Sequence, residues 1–143
     1  MANTDKQKIV EIMKKASNFA FLATCDGGQP RVRPVSPMVE DDMSVWVATS
    51  ASSRKVKQIK KNPRMSLAFV VHPQGDKAAT IIGDAEIVED MEQKKRIWGL
   101  ASYDPSQFWP DGPKSKDYCV LKINVKQIEW WEDWETGMKT YEP

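Results

Sequence analysis

Apolar positions along this chain repeat at two periods, and the switches between them mark its elements. Ile9, Val10, Ile12, Met13 and Ala16 fall on one face at helical spacing. Thr4 or Asp5 is placed to cap that helix, which should end near Ser17. The period then drops to two. Phe19 to Cys25 reads as a short apolar strand, and Asp26-Gly27-Gly28 as a hairpin turn of residues that tolerate positive φ. Gln29 to Glu40 reads as the return strand, but Pro30, Pro34 and Pro37 cannot all sit in a fully paired one. Each proline lacks the N–H a ladder needs, so this strand is expected to be an edge, bulged or partly unpaired.

Asp41-Asp42 turns the chain into a strand at Ser44, where Val45 and Val47 alternate around Trp46. A small-residue corner follows, Thr49-Ser50-Ala51-Ser52-Ser53. After it Val56 and Ile59 share one face of a helix that Pro63 stops. Met65 to Val71 and Ala78 to Val88 are two more strands, the second with Gly83 as an expected bulge. Asp90 caps a third helix from Met91 to about Leu100, and residues 102–117 are irregular. A final pair of strands is expected, Tyr118 to Val125 and Gln127 to about Trp134. Six or seven strands with short turns, one leading helix and two inserted helices predict an α+β fold built on a closed or nearly closed antiparallel barrel. Closure also removes the strand edges that such a chain would otherwise expose. Trp130, Trp131 and Trp134 exceed what one strand face can bury, which points to a partner subunit.

Composition adds bounds. At 143 residues the chain is expected to form one domain, residues 1–143, with no internal repeat. Its formal net charge of +1 provides no global basic field for nucleic acid. No apolar run can span a bilayer and residues 1–15 lack a signal-peptide core, so a cytoplasmic chain is expected. Cys25 and Cys119 fit neither a disulfide framework nor a zinc site. No nucleophile–base pair, metal-ligand cluster or paired carboxylate stands out. The lone His72 beside Pro73 reads as an idle loop residue.

Charge is segregated locally, and that changes the picture around Ser44–Pro63. Residues 54–64 hold six basic residues and no acid. A strand that delivers a hydroxyl-rich corner to the start of such a helix suits an oxyanion, because the first helical turn has unpaired N–H groups and the positive dipole end. Ser53 can cap the helix or donate to an anion, while Arg54 and Lys55 add full charge. Two cations at a helix start oppose the dipole unless an anion meets them. A solvated amphipathic helix is the plain alternative for the same residues.

The order FAFLATCDGGQPRVRPV followed by VWVATSASSRKVKQIKKNPRMSLAFVV resembles the FMN-binding split barrel of the pyridoxamine 5′-phosphate oxidase-like superfamily, and within it the general stress protein 26 branch. The likeness extends over roughly residues 8–134. It implies a homodimer with two FMN molecules at the subunit interface. Carried over by position, Arg33, Pro34 and Val35 run along the isoalloxazine ring and ribityl chain, with Arg33 a candidate for the N1–O2 edge. Thr49 and Ser50 meet the flavin or its chain, and Ser53, Arg54 and Lys55 hold the phosphate. Phe108-Trp109-Pro110 and Trp98 are similar to the part that reaches across the dimer. Trp109 is expected to stand exposed and cover the ring, whereas Trp98 can equally be core.

The likeness implies an FMN-dependent oxidoreductase of a small molecule, in which the cofactor carries the redox chemistry and no catalytic side chain is assigned. It departs from the true oxidase of the superfamily at the C-terminus. WWEDWETGMKTYEP is acidic and lacks the basic, His-containing motif that binds the substrate phosphate, so oxidation of pyridoxamine phosphate is not expected. The alternatives are a flavin carrier or sensor, a haem-binding or F420-binding member of the same fold, and a nucleic-acid or acidic-partner binder using the basic helix 54–64.

Overall fold

The computed structural model describes residues 3–143. Helix α1 (Asp5–Lys15) begins at a reciprocal cap in which Thr4 Oγ1 accepts from the Gln7 amide and the Gln7 side chain accepts from the Thr4 N–H. Its apolar face, Ile9, Val10, Ile12, Met13 and Ala16, is buried as the spacing predicts.

The strands are β1 (Ala20–Asp26), β2 (Gln29–Val35), β3 (Met38–Val39), β4 (Val45–Ser50), β5 (Arg64–Val70), β6 (Ala78–Ile87), β7 (Tyr118–Trp131) and β8 (Lys139–Tyr141). They form one sheet ordered β2-β1-β5-β6-β7-β4-β3, with β8 added beside β7. All its pairings are antiparallel. The expected strand 29–40 is therefore two strands, split at Ser36-Pro37, and they lie at the two opposite ends of the sheet order. Only two residues join those ends. Such a short link reaches roughly 10 Å at most, so the sheet must curl until its two edges meet. The result is a split barrel, and the seam runs between β2 and β3. Pro30 and Pro34 lie where the sequence predicts, in an edge strand whose outer side is unpaired, and Pro37 lies in the link between β2 and β3.

Helix α2 (Arg54–Lys61) packs on β1 at one end of the barrel and buries Val56 and Ile59. Inside the barrel, Leu22, Val45, Val47, Leu67, Phe69, Ile81, Leu121, Ile123, Ile128 and Trp130 form one core with α1. β4 and β7 are covered on both faces. Their outward residues Trp46, Tyr118 and Val120 join Met38, Ile97 and Trp109 in a second cluster under α3 (Met91–Trp98) and the segment that follows it. That double burial explains the unbroken apolar runs in these two strands.

The C-terminal region corrects the expected pair of strands. Tyr118–Trp131 is one 14-residue strand, bent where the register shifts opposite Ile82/Gly83 so that Lys126 is the extra residue. Gly83 is at the bulge, as expected. Trp130 is fully buried, while Trp131 and Trp134 pack on each other with ring centroids 6.0 Å apart.

One polar cluster ties β3 to α3. Glu40 accepts from Trp46 Nε1 at 2.7 Å and from both Arg96 amino groups at 2.8 and 3.1 Å, with the guanidinium stacked over the Trp46 ring. The Arg96 hydrogen bonds are the leading cause that lowers the Glu40 pKa. The stabilisation is thus present above the unfolded glutamate pKa of about 4.3 and is lost as pH falls through the lower folded value. Glu40→Gln should cost about 1 kcal/mol at neutral pH, measured by urea unfolding, and the difference from wild type should shrink as pH falls through the lowered folded value.

Candidate functional site

The corner between β4 and α2 is held from outside by Asp117. Its carbonyl accepts from the Ala51 N–H at 2.7 Å and its carboxylate from the Ser52 N–H at 2.9 Å. The corner is shorter than the sequence suggests, because Thr49 and Ser50 still belong to β4. Ser53 occupies the N-cap position but makes no side-chain cap bond, contrary to one expected role. Its Oγ is buried without any hydrogen-bond partner. A buried unpaired hydroxyl costs about 1–3 kcal/mol, so this atom needs an explanation.

Two cations stand nearby. Lys55 Nζ donates to Thr49 Oγ1 at 2.7 Å. Burial lowers its pKa first, and the Arg33 charge lowers it further. The Arg33 guanidinium is likewise lowered, by burial and then by Arg31. Arg33 lies on the inner face of β2, opposite Leu22, and donates to Leu22 O at 3.1 Å, Thr24 Oγ1 at 2.8 Å and Gln58 Oε1 at 2.9 Å. Its guanidinium is therefore held between β1 and α2, close enough to Lys55 for the two charges to repel. Among the described residues neither cation forms an ion pair. Two desolvated, mutually repelling cations, one of them two residues along the chain from a buried free hydroxyl, are groups that a bound oxyanion can satisfy.

Thr49 joins this corner to a cleft of about 470 Å³. The cleft is lined by Ser36, Thr49, Ser50, Tyr103, Phe108 and Trp109, with Ala48 and Gln107 completing it. Its walls carry no charge, and its volume lies in the ordinary range for small-molecule sites. Burial raises the pKa of Tyr103 and keeps its phenol protonated at neutral pH. The irregular segment 102–117, with short 3-10 turns at Pro105–Gln107 and Gly112–Lys114, brings these aromatics over the end of β4.

Trp109 corrects an expectation. It is only 6% exposed and packs edge-on against Tyr118 at 5.0 Å, near Trp98 at 6.3 Å. The exposed aromatic of the segment is Phe108, at 64%. Trp109 forms part of the cleft wall, and Trp98 belongs to the same packed cluster. The structure thus groups Arg33, Ser53 and Lys55 at the barrel end and Thr49, Ser50 and Trp109 around the cleft. Val35 faces the core from the seam. Pro34 is exposed on the other face of β2, and Arg54 points to a separate cleft with Lys57 and Lys61.

Residues 6–132 match the model of the family described as pyridoxamine 5′-phosphate oxidase. The chain belongs to this family. Members of the pyridoxamine 5′-phosphate oxidase fold family often bind flavin, haem or F420. Solved structures of similar fold include the general stress protein 26 from Bacillus anthracis, at 23% identity with a TM-score of 0.78, covering 96% of this chain and 98% of that one. A Clostridium acetobutylicum protein related to general stress protein 26 has 21% identity and a TM-score of 0.77, covering 97% of this chain and 96% of that one. A heme binding protein from Mycobacterium smegmatis has 17% identity and a TM-score of 0.77, covering 99% of this chain and 60% of that one. No curated protein sequence matches the chain significantly. Among the described residues no helix is long and apolar enough to cross a membrane.

Several residues around the site of this family member escape a reading of the sequence. Thr24 and Gln58 are polar residues on buried faces, between Leu22 and Cys25 and between Val56 and Ile59. Their burial at 2% and 9% was signalled by that placement alone. Ser36, Tyr103 and Gln107 gave no signal, because only the curling of the sheet and the path of segment 102–117 bring them to β4.

Proposed function

We propose that the chain binds FMN and acts as an FMN-dependent oxidoreductase on a small molecule. The observation that supports this most strongly is the pair Lys55 and Arg33, two mutually repelling cations weakened by burial and paired with no acid among the described residues, together with the buried, partnerless Ser53 Oγ at the start of the same helix. A phosphate monoester supplies the missing acceptors and charge in one group. In this reading Ser53, Lys55 and Arg33 hold the phosphate. Thr49, Ser50 and the seam strand with Pro34 and Val35 flank the chain and ring, and Arg54 adds long-range charge. FMN, when bound, supplies hydride or electron transfer. The protein's part is to orient the ring in an uncharged cleft and exclude water from one face. The neutral Tyr103 phenol can donate a hydrogen bond to a substrate oxygen there.

The cleft is open, with Phe108 standing at its rim and Val32 at 67% exposure on the outer face of β2. This suits a homodimer that closes each site from the partner side. Haem is the less favoured cofactor, since Tyr103 is the one side chain of the cleft lining able to ligate iron and burial holds its phenol protonated.

The purified protein should bind flavin with the absorption spectrum of an oxidised flavin; a haem or deazaflavin spectrum would replace this reading. Ser53→Ala gives a sharper signature. Losing an N-cap serine ordinarily costs about 1 kcal/mol, but this serine makes no cap bond. The variant should keep or gain stability without ligand and bind FMN about 10-fold more weakly, read by thermal melting and flavin fluorescence.

A further inference from the structure

The face of α2 that looks away from Lys55 borders a second cleft of about 410 Å³, closed on its other side by the turn between β1 and β2. Arg54, Lys57 and Lys61 line it, and among the described residues none of the three forms an ion pair. The one carboxylate on its wall, Asp26, is held by Arg31 Nε at 3.1 Å.

Two side-chain amides point to what the cleft accepts. Gln58 is 9% exposed, and its Oε1 is taken by Thr24 Oγ1 at 2.6 Å and by Arg33 Nη2 at 2.9 Å. Asn62 Oδ1 is taken by the Arg64 N–H at 3.1 Å. With both oxygens committed, each amide is fixed so that its NH₂ group remains. Neither NH₂ has a partner among the described residues, and both residues line the cleft. The Gln58 NH₂ is thus a donor held in a fixed direction and open to the cleft, which the fold itself leaves unused.

We propose that this cleft is a second anion site that takes a phosphate or diphosphate group. Three cations and two amide donors converge on it. Arg54 and Lys61 stand seven residues apart along the helix, roughly 10 Å at 1.5 Å per residue, which is too long a span for one carboxylate and suits a diphosphate or a phosphate with its own neighbours. Gln58 connects the two sites, because its oxygen fixes Arg33 of the first while its nitrogen serves the second. The second site stands on its own residues and does not require that the first hold FMN. Its phosphate comes either from an extended ligand, such as a dinucleotide whose second phosphate passes around the start of α2, or from a free phosphate compound.

Isothermal titration with pyrophosphate tests it, using the full chain saturated with FMN at about 150 mM salt. Wild type should bind one pyrophosphate with a Kd below about 1 mM. The doubly substituted Lys57→Ala/Lys61→Ala protein, which keeps good helix formers in α2, should bind it at least ~10-fold more weakly with FMN affinity and melting temperature unchanged. Replacing FMN by flavin adenine dinucleotide identifies the source. Loss of the pyrophosphate signal assigns the second phosphate to the same ligand, and its persistence assigns it to a free phosphate compound; either result upholds the site. If FMN does not bind, the same titration on the ligand-free chain should still lose one anion site in the double variant. Absence of pyrophosphate binding, or equal binding by wild type and variant, overturns the proposal.

Discussion

Lys55→Ala will lower the affinity for FMN about 30-fold, an effect of about 2 kcal/mol for one charge-assisted phosphate contact, without lowering the melting temperature of the ligand-free protein. The two halves of this result come from the same observation. Burial and the Arg33 charge both push the Lys55 pKa down, so the ammonium is a cost to the empty fold at neutral pH. That cost is relieved as pH rises through the lowered folded pKa, or when an anion arrives. Deleting the side chain removes the cost together with one hydrogen bond to Thr49. Arg33→Ala should weaken FMN at least as much, yet it will also destabilise the fold, since Leu22 O, Thr24 and Gln58 all lose a donor. Fluorescence titration and thermal melting separate the two variants. A Lys55→Ala protein that melts lower and binds FMN normally would mean that this lysine serves the fold and not a ligand.

Gly83→Ala will destabilise the protein by about 3 kcal/mol or more, lowering the melting temperature by roughly 10 °C. A Cβ at this position would lie 1.9 Å from Asn124 O, 3.1 Å from Asn124 C and 3.3 Å from Lys126 N. All three are backbone atoms of the bulge, so no side chain can swing aside. β7 would have to move away from β6 where Asn124 Nδ2 donates to Asp84 at 2.9 Å. β7 also carries β4 on its other side, so the shift would reach the strand that presents Thr49 and Ser50. Urea unfolding measures the loss. A change below 1 kcal/mol would show that the bulge can relax at little cost.

The sequence showed most of the fold because the fold is written in local patterns. The helical spacing of Ile9 to Ala16, the prolines of residues 29–40 and the glycine at position 83 each have one physical consequence, and the structure displays all three. The end of the chain was misread for an equally physical reason. A bulge leaves one residue unpaired without breaking a strand, and Lys126, polar between Val125 and Gln127, looks like a turn. The split of residues 29–40 between two sheet edges also depends on closure, which no local pattern encodes.

The site was less legible. Ser53 and Lys55 stood out through position and charge, and in the fold the first is left without a partner and the second is half-desolvated. Arg33 was readable as a site residue, but its direction was set by Thr24 and Gln58, two polar residues whose meaning appears only when β1 and α2 meet. Trp109 was expected in the open because it stands in an irregular, largely polar segment. Burial of a loop tryptophan depends on what lies beneath it, here Tyr118 and Trp98, which arrive from elsewhere in the chain.

A corner that holds a flavin by its phosphate must tell FMN from riboflavin, and titration of the purified chain with each measures that difference. The ring is the same in both, so the difference in affinity reports the phosphate contacts alone. FMN should bind at least 100-fold more tightly than riboflavin, about 2.7 kcal/mol, and the gap should shrink in Lys55→Ala and Ser53→Ala. Equal affinities for the two, or no binding of either, would contradict the account.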